Sequence, residues 1–287
     1  METIGEQRIW TFFPGSTKAV VARNCTAVRR AEAHRVASYP ELASKLAELQ
    51  FMNREHVLMM RGQGGDHRNR VHSTSLKPSI MRSSKPGRVP SVDGLEARFA
   101  RLRAAEEQLV RQYDAAGFLG LDRISRQRIL RWAILQHYEI CRTPLLDVTH
   151  SLRIAASFAC DGGSDDGHVF VLGVPNVSGA VTASAEAGLQ IVRLSSVCPP
   201  TAVRPHIQEG FLLGEYPDLE DADQKSRYGH YEVDFGRRLV AKFVFDKRTF
   251  WEKSPDFPMI PSAARYPSDD PMRALAAAIA VVLPADS

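Results

Sequence analysis

The spacing of apolar residues predicts a chain whose first half is mainly helical. Leu42, Leu46 and Leu49 recur at helical intervals, which predicts a helix packed on the core. The same spacing returns in residues 95–113 and 125–136, the second stretch being expected to begin at Ser125 as its N-cap. Three helices are therefore predicted in the first half of the chain.

Short apolar and β-branched runs predict the strands. The run 57–60 is expected to end at Gly62, which puts Arg61 at a strand end. A second run, 145–149, leads into an apolar helical face at 151–160. Further strands are predicted at 168–174, 190–194, 207–213 and 239–245. Strands gathered after helices favour an α+β class over alternating α/β.

Two stretches read as surface connections. Residues 83–94 are rich in Pro and Gly, and residues 214–230 are acidic and then basic. The helix expected after Pro271 is almost entirely apolar, so it should pack in a groove on the core or on a partner. No clear period is present in residues 17–36.

One main domain with additions at both ends fits this order. We expect an extension of strand and helix at 1–56, a catalytic core at 57–213, and strands plus an apolar helix at 214–287 packed on the same domain. Hydrophobic content of 44% and charged content of 24% are those of a globular protein. The net charge of +4 permits a phosphate-bearing partner without requiring one.

Cysteine usage and hydropathy predict the compartment. The four cysteines are scattered, with no CxxC pair. The N-terminal residues lack a signal-peptide pattern, and the most apolar run, 274–283, is about half the length that spans a bilayer. These features predict a cytoplasmic protein without a membrane partner. The histidine spacing matches no metal motif, so no metal is predicted.

The familiar cofactor motifs are absent from the sequence. Phosphate-loop, dinucleotide, nucleophile-elbow, HExxH and EF-hand patterns have no match. What remains is a series of polar residues beside apolar runs, in three blocks. The blocks are 60–63 with His72, Lys77 and Arg82; 136–138 with 142–151; and 204–211.

These blocks, in this order, resemble the FRG domain, a bacterial and phage-associated family named for a Phe-Arg-Gly triplet. Its most specific parts here are the QHY element at 136–138 and the LLD-x-T element at 145–149. Met60 stands in place of the Phe, and the chain between Tyr138 and Leu145 departs from the usual Gly-x-Pro-Thr-Arg. The resemblance implies a toxin or anti-phage defence effector, with a neutralising antitoxin that would dock on the C-terminal helix or the 83–94 loop.

The chain also resembles ADP-ribosyltransferases, in which an Arg or His ends a first strand, a Ser/Thr strand leads into a helix, and a Glu follows late. Arg61, residues 149–151 and residues 208–209 keep this order. That resemblance implies an ADP-ribosyltransferase-like mixed sheet core with flanking helices. It also implies NAD as co-substrate and RNA or a protein as acceptor.

The catalytic residues implied are Glu209, Arg61 and Gln208. An arginine forks onto a pyrophosphate, and a carboxylate on the sugar hydroxyl stabilises the oxocarbenium-like state in which nicotinamide leaves. Gln208 and Glu209 would point to opposite faces of a strand, so only one would face the cleft. The NAD-binding residues implied are Arg61, Gly62, Gln63, His137, Tyr138, Thr149, Ser151 and Phe158.

Structural roles for the same residues stay open. Arg61 could clamp Asp147 or Glu209, residues 137–138 could simply pack in the core, and residues 149–151 could make a turn and N-cap. At the level of function, the alternative is a non-catalytic recognition module that binds a nucleotide or a protein. A hydrolase using His137, Asp147 and His150 would need a nucleophile or metal that the sequence does not offer.

The arginines in residues 98–111 and 123–131 also allow two readings. They could follow a phosphate backbone, which suits an RNA acceptor. They could equally solvate helix faces.

Overall fold

The structure is a computed structural model that describes residues 7–14, 19–83, 90–227 and 233–284. The strands are β1 (Ile9–Thr11), β2 (Val21–Arg23), β3 (His34–Arg35), β4 (Val57–Gln63), β5 (Leu146–Thr149), β6 (Asp166–Val174), β7 (Val181–Ser184), β8 (Leu189–Arg193), β9 (Gly210–Glu215) and β10 (Leu239–Asp246). The helices are α1 (Cys25–Arg30), α2 (Tyr39–Met52), α3 (Val92–Ala115), α4 (Leu121–Arg126), α5 (Arg128–His137), α6 (Leu152–Ala159), α7 (Leu194–Val197), α8 (Arg204–Ile207), α9 (Ala222–Arg227), α10 (Lys247–Glu252), α11 (Ser262–Arg265) and α12 (Pro271–Val282).

Eight strands form one mixed sheet in the order β3-β10-β6-β4-β5-β9-β8-β7. Neighbouring strands of this sheet are antiparallel, except β3 and β10, which are parallel. β1 and β2 form a separate antiparallel pair. The prediction of a mixed sheet with flanking helices is confirmed at this level.

Two hydrophobic cores pack against the sheet, and at β8 and β9 they lie on opposite faces of it. Alternate residues along β8 and β9 belong to different cores, because strand side chains alternate between faces: Ile191 lies in one core and Val192 in the other. The first core takes in the apolar sides of α1, α2 and α6. The second takes in α3, α5 and α12 and includes the fully buried Trp132.

The sheet is open at the boundary between β4 and β5. β4 pairs with β6 along its full length, and β5 pairs with β9 along its own, but β4 and β5 meet only at Met60 and Thr149. Two strands joined at one residue pair diverge away from it. A cleft therefore opens between β4 and β5. The helix α6, which directly follows β5, covers one side of this cleft.

Several elements differ from the prediction at their ends. β4 continues through Gly62 to Gln63 because β6 pairs with it that far, so Arg61 lies inside the strand and not at its end. Ser125 lies within α4, and the N-cap of α5 is Gln127. The helix α3 already begins at Val92 with Ser91 as its cap, which shortens the expected 83–94 connection; residues 84–89 lie outside the described ranges.

The strand predicted at 207–213 begins only at Gly210. Residues 204–207 form the short helix α8, with Pro205 in its first turn, where a missing N–H costs nothing. The expected 214–230 connection contains the end of β9 and then α9. The short elements β2, α1 and β3 were missed, and so was β7.

Other predictions are confirmed. α2 has Ser38 as its cap, with Oγ accepting from the Glu41 N–H, and its leucines are buried. β6, β10 and α12 lie where the patterns put them, and Asp270 caps α12. None of the helices in the described ranges combines the length and apolarity needed to cross a bilayer.

Candidate functional site

A cavity of about 200 Å³ lies at the point where β4 and β5 diverge. Its walls come from both strands, from the ends of α5 and β9, and from α6, α8 and the residue after α11. The predicted site residues that line it are Arg61, Gly62, His137, Thr149, Phe158 and Gln208. Gln63, Tyr138, Ser151 and Glu209 are not among its lining residues.

Arg61 bridges the gap between the two strands. Its Nη1 donates to the main-chain carbonyl of Asp147 at 2.7 Å, and its Nε donates to Gln63 at 3.3 Å. Burial lowers the pKa of Arg61, while the nearby Asp147 charge opposes that shift. The arginine thus does clamp the Asp147 segment, but through a neutral carbonyl. Among the described residues its charge has no direct ion pair.

Gly62 lets α6 approach β4 closely. A Cβ built at Gly62 would lie 1.7 Å from the carbonyl oxygen of Ala155, a main-chain atom of α6. Only hydrogen fits there. This contact holds α6 against the strand and so sets the position of Phe158, one turn further along, in the cavity wall.

Gln136, the first residue of the QHY element, ties the blocks together. Its Oε1 accepts from the hydroxyls of Thr143 at 2.6 Å and Ser79 at 3.1 Å, and its Nε2 donates to Asp147 at 2.7 Å. Burial raises the pKa of Asp147, whereas Arg61, the Gln136 hydrogen bond and Arg204 oppose the rise. Gln136 and Asp147 therefore shape this wall as a connected network.

The side chains of His137 and Tyr138 have different surroundings: His137 lines the cavity, and Tyr138 contacts the start of α12. His137 lines the cavity, is 2% exposed, and its Nε2 has no hydrogen-bond partner among the described residues. Burial, assisted by the Arg204 charge, holds the pKa of His137 well below its usual value of 6.5. The Tyr138 hydroxyl instead donates to Asp270 at 3.0 Å, so this tyrosine braces α12.

The buried neutral imidazole predicts a pH dependence of stability. Below pH 6.5, His137 becomes protonated in the unfolded chain and stays neutral in the folded chain. The free energy of unfolding therefore decreases as the pH is lowered. We expect wild type to lose about 1 kcal/mol more than His137→Phe between pH 6.5 and 5.5, in urea titrations at each pH. Histidines common to both proteins cancel in the difference. Parallel pH profiles would contradict this assignment.

Thr149 and Ser151 form the turn before α6. The Thr149 hydroxyl donates to the Gln208 carbonyl at 2.8 Å and accepts from the Ser151 N–H at 2.9 Å. Ser151 is the N-cap residue, yet its own side chain makes no capping bond. Gln63 donates to the Gly65 carbonyl at 2.9 Å, beyond the cavity. Thr149 thus joins β5 to the segment before β9.

Gln208 and Glu209 lie in the turn between α8 and β9, so the strand-alternation argument does not apply to them. Gln208 is 6% exposed, faces the cavity and donates to the Arg265 carbonyl at 2.8 Å. The Glu209 side chain is exposed, and its backbone has a left-handed conformation with φ of 44°. Because both its chain neighbours line the cavity, Glu209 stands at the rim.

Among the lining residues that were not predicted as site residues, Arg204, Glu139 and Tyr266 lie together. Arg204 pairs with Glu139 at 2.7 Å and lies over the Tyr266 ring at 4.5 Å. Tyr266 meets Phe158 edge-to-face at 6.1 Å, which makes an aromatic wall. Arg204 belongs to the third polar block, which was the available signal; nothing in the local pattern marked the other two.

The lining is polar and carries charges of both signs. Arg61, Arg204, Asp147 and Glu139 all line it, and the field of Arg82 also reaches Asp147. Glu139 is committed to Arg204, and Asp147 to Gln136. Arg61 is left as the charge available to an incoming anion. In the part of the chain that the structure describes, no group of three His, Cys, Asp or Glu side chains is arranged to hold a metal.

Residues 59–167 match the family model of the FRG domain. The chain contains an FRG domain. No curated protein matches the chain, and no solved structure does.

The FRG match runs from β4 to the start of β6, so it contains Arg61, His137, Asp147 and Phe158. It ends before α8, however. The third polar block, with Arg204 and Gln208, lies outside the matched residues, and so does Tyr266. The FRG domain therefore supplies one side of the cavity, and the chain after it supplies the other.

Proposed function

We propose that this FRG-domain protein is an NAD-dependent ADP-ribosyltransferase. The observation that carries the proposal is the meeting of three segments at one cavity. Arg61 on β4, Thr149 on β5 and Gln208 before β9 are far apart in sequence, and their strands are direct neighbours in the sheet. A transferase of this kind needs its arginine, its Ser/Thr strand and its late acidic segment to surround one ligand.

Arg61 is proposed to hold the pyrophosphate of NAD. Its guanidinium is fixed by Asp147 and Gln63 through uncharged oxygens, so its charge is oriented but not neutralised. A fixed guanidinium suits a phosphate because charge-assisted hydrogen bonds form without further ordering of the side chain.

Phe158 and Tyr266 are proposed to receive the nicotinamide ring against their aromatic wall. The cavity of about 200 Å³ is smaller than the roughly 300–1,000 Å³ of typical ligand pockets. It therefore encloses one end of NAD, and the adenosine lies along the open cleft.

The carboxylate of Glu209 is proposed to stabilise the oxocarbenium-like state as the bond to nicotinamide breaks. Asp147 and Glu139 are nearer the cavity, but each already has a hydrogen-bonding or ionic partner. Within the described residues, the Glu209 carboxylate has no hydrogen bond or ion pair. It stands at the rim, where the sugar of a bound NAD and an incoming acceptor would meet.

Mass spectrometry of nicotinamide release and ADP-ribose transfer tests the proposal, with purified protein, NAD, and either RNA or cell lysate as acceptor. We expect Arg61→Ala and Glu209→Gln each to lower turnover by at least about 100-fold, because each removes a charge that acts in the transition state. Arg54→Ala and Glu55→Gln are the matched controls; both residues are exposed and distant from the lining, and both variants should keep full activity.

The absence of NAD consumption with every acceptor would sink the transferase proposal. Equal activity of Glu209→Gln and wild type would move the catalytic role to another carboxylate, which Glu139→Gln would then test. The RNA and lysate arms separate the two acceptor classes.

A non-catalytic module that binds a nucleotide or a protein is the second candidate. The exposed position of Glu209 favours it, since the carboxylate does not line the cavity. Nucleotide binding that depends on Arg61 without any turnover would support this candidate. A toxin or defence role, with an antitoxin partner, stays a further proposal from the family resemblance.

A further inference from the structure

His137 presents a nitrogen atom that nothing in the described protein uses. The ring is 2% exposed and lines the cavity, and Nε2 is buried without a hydrogen-bond partner. A buried polar atom without a partner costs free energy, and a bound ligand can remove that cost. In a side chain that lines a cavity, an atom of this kind is a candidate contact for a bound ligand.

The guanidinium of Arg204 also has a buried nitrogen atom without a hydrogen-bond partner among the described residues. Arg204 lines the same cavity and is 9% exposed; its Nε is buried and unpartnered in the described chain, although its Nη2 bonds Glu139. Its charge also acts on His137. Two buried nitrogen atoms on neighbouring side chains thus lack partners in one small cavity.

We infer that His137 and Arg204 form a subsite for the hydroxyl groups of the ribose that carries nicotinamide. The inference rests on the proposed function, since it names a part of NAD. Phosphates belong at Arg61, whose charge is free, and the ring belongs at the Phe158 and Tyr266 wall. The ribose lies between these two groups in NAD. Arg204, which lies over the Tyr266 ring at 4.5 Å and whose charge acts on His137, puts both residues next to the aromatic wall and so within reach of that ribose.

The charge state of His137 agrees with an uncharged partner. A phosphate oxygen would favour the imidazolium form, but burial and the adjacent Arg204 charge keep the pKa of His137 low. A neutral imidazole bonds a hydroxyl in either tautomer, because a hydroxyl both donates and accepts.

Calorimetric binding of ADP-ribose, ADP and inorganic pyrophosphate tests the subsite without turnover. ADP-ribose carries the second ribose and ADP does not. We expect His137→Phe to bind ADP-ribose about tenfold more weakly than wild type, the loss of one hydrogen bond, and to bind ADP and pyrophosphate unchanged. His150→Phe, at an exposed histidine outside the lining, is the matched control and should match wild type for all three.

Unchanged ADP-ribose affinity in His137→Phe would overturn the subsite, and so would an equal loss for ADP. Should that variant not fold, the ¹⁵N signal of His137 Nε2 in wild type gives the answer. It should move on addition of ADP-ribose and stay in place with ADP; a signal that ignores ADP-ribose at saturation would overturn the inference. Ribose-dependent binding without NAD turnover would reject the transferase proposal alone, and turnover with unchanged His137→Phe binding would reject the subsite alone.

Discussion

Alanine at position 62 is expected to prevent stable folding. The new methyl group would lie 1.7 Å from the Ala155 oxygen and within 2.8 Å of two further main-chain atoms of α6. Side chains can rotate away from such a clash, but a helix backbone can do so only by leaving the strand. We expect Gly62→Ala to lose at least about 3 kcal/mol of unfolding free energy, measured by urea denaturation.

Gly65→Ala is the matched control for this prediction. It makes the same chemical change three residues further on, where a Cβ would meet nothing within 4 Å. We expect its unfolding free energy to lie within about 0.5 kcal/mol of wild type. A Gly62→Ala protein as stable as Gly65→Ala would mean that α6 does not rest on β4 as described, and the position of Phe158 in the cavity wall would then be in doubt.

Gly62 also shows what the sequence could and could not predict. The triplet in which it lies was recognisable, and so was a strand before it. The sequence suggested that glycine ends the strand, whereas it is paired inside β4. A glycine that ends a strand and one that admits a helix have the same local pattern. Only the pairing with β6, formed by residues more than 100 positions away, distinguishes them.

The position of the cavity wall that contains Gln208 and Tyr266 could not be predicted from the sequence, because it too depends on long-range contacts. Gln208 and Glu209 were assigned to a strand from the apolar run around them, but Pro205 begins a helical turn there and shifts β9 onward. Tyr266 reaches the cavity from near the C-terminus through Arg265, which is clamped by Asp161 at 2.7 Å. Such long-range ion pairs leave no periodic signal in the sequence.

Glu106 is expected to be the most important charged residue for the packing of α3 on α5. It is 6% exposed; its Oε1 accepts from the indole of Trp132 at 2.6 Å, and its Oε2 accepts from Arg131 at 2.9 Å and from Arg128 at 3.3 Å. From the sequence, the arginines in residues 123–131 were predicted either to bind a phosphate backbone or to be solvated. Arg128 and Arg131 instead serve, at least in part, to neutralise one buried carboxylate.

Replacing Glu106 with alanine would leave a buried indole N–H and two guanidinium groups without their shared acceptor. We expect Glu106→Ala to lose about 3 kcal/mol of unfolding free energy, because removing one partner of a buried pair strands the other. Glu106→Gln keeps one acceptor oxygen and should lose less. The readout is urea denaturation followed by tryptophan fluorescence, to which Trp132, in direct contact with Glu106, contributes.

Glu107→Ala provides the comparison at the adjacent position on α3. Glu107 is exposed and pairs with Arg111 one turn away at 3.5 Å, a surface pair whose loss should cost at most about 0.5 kcal/mol. Equal effects of the two alanine variants would contradict a buried role for Glu106. The arginines around it would then be free to bind phosphate, and the RNA acceptor would gain support over the protein one.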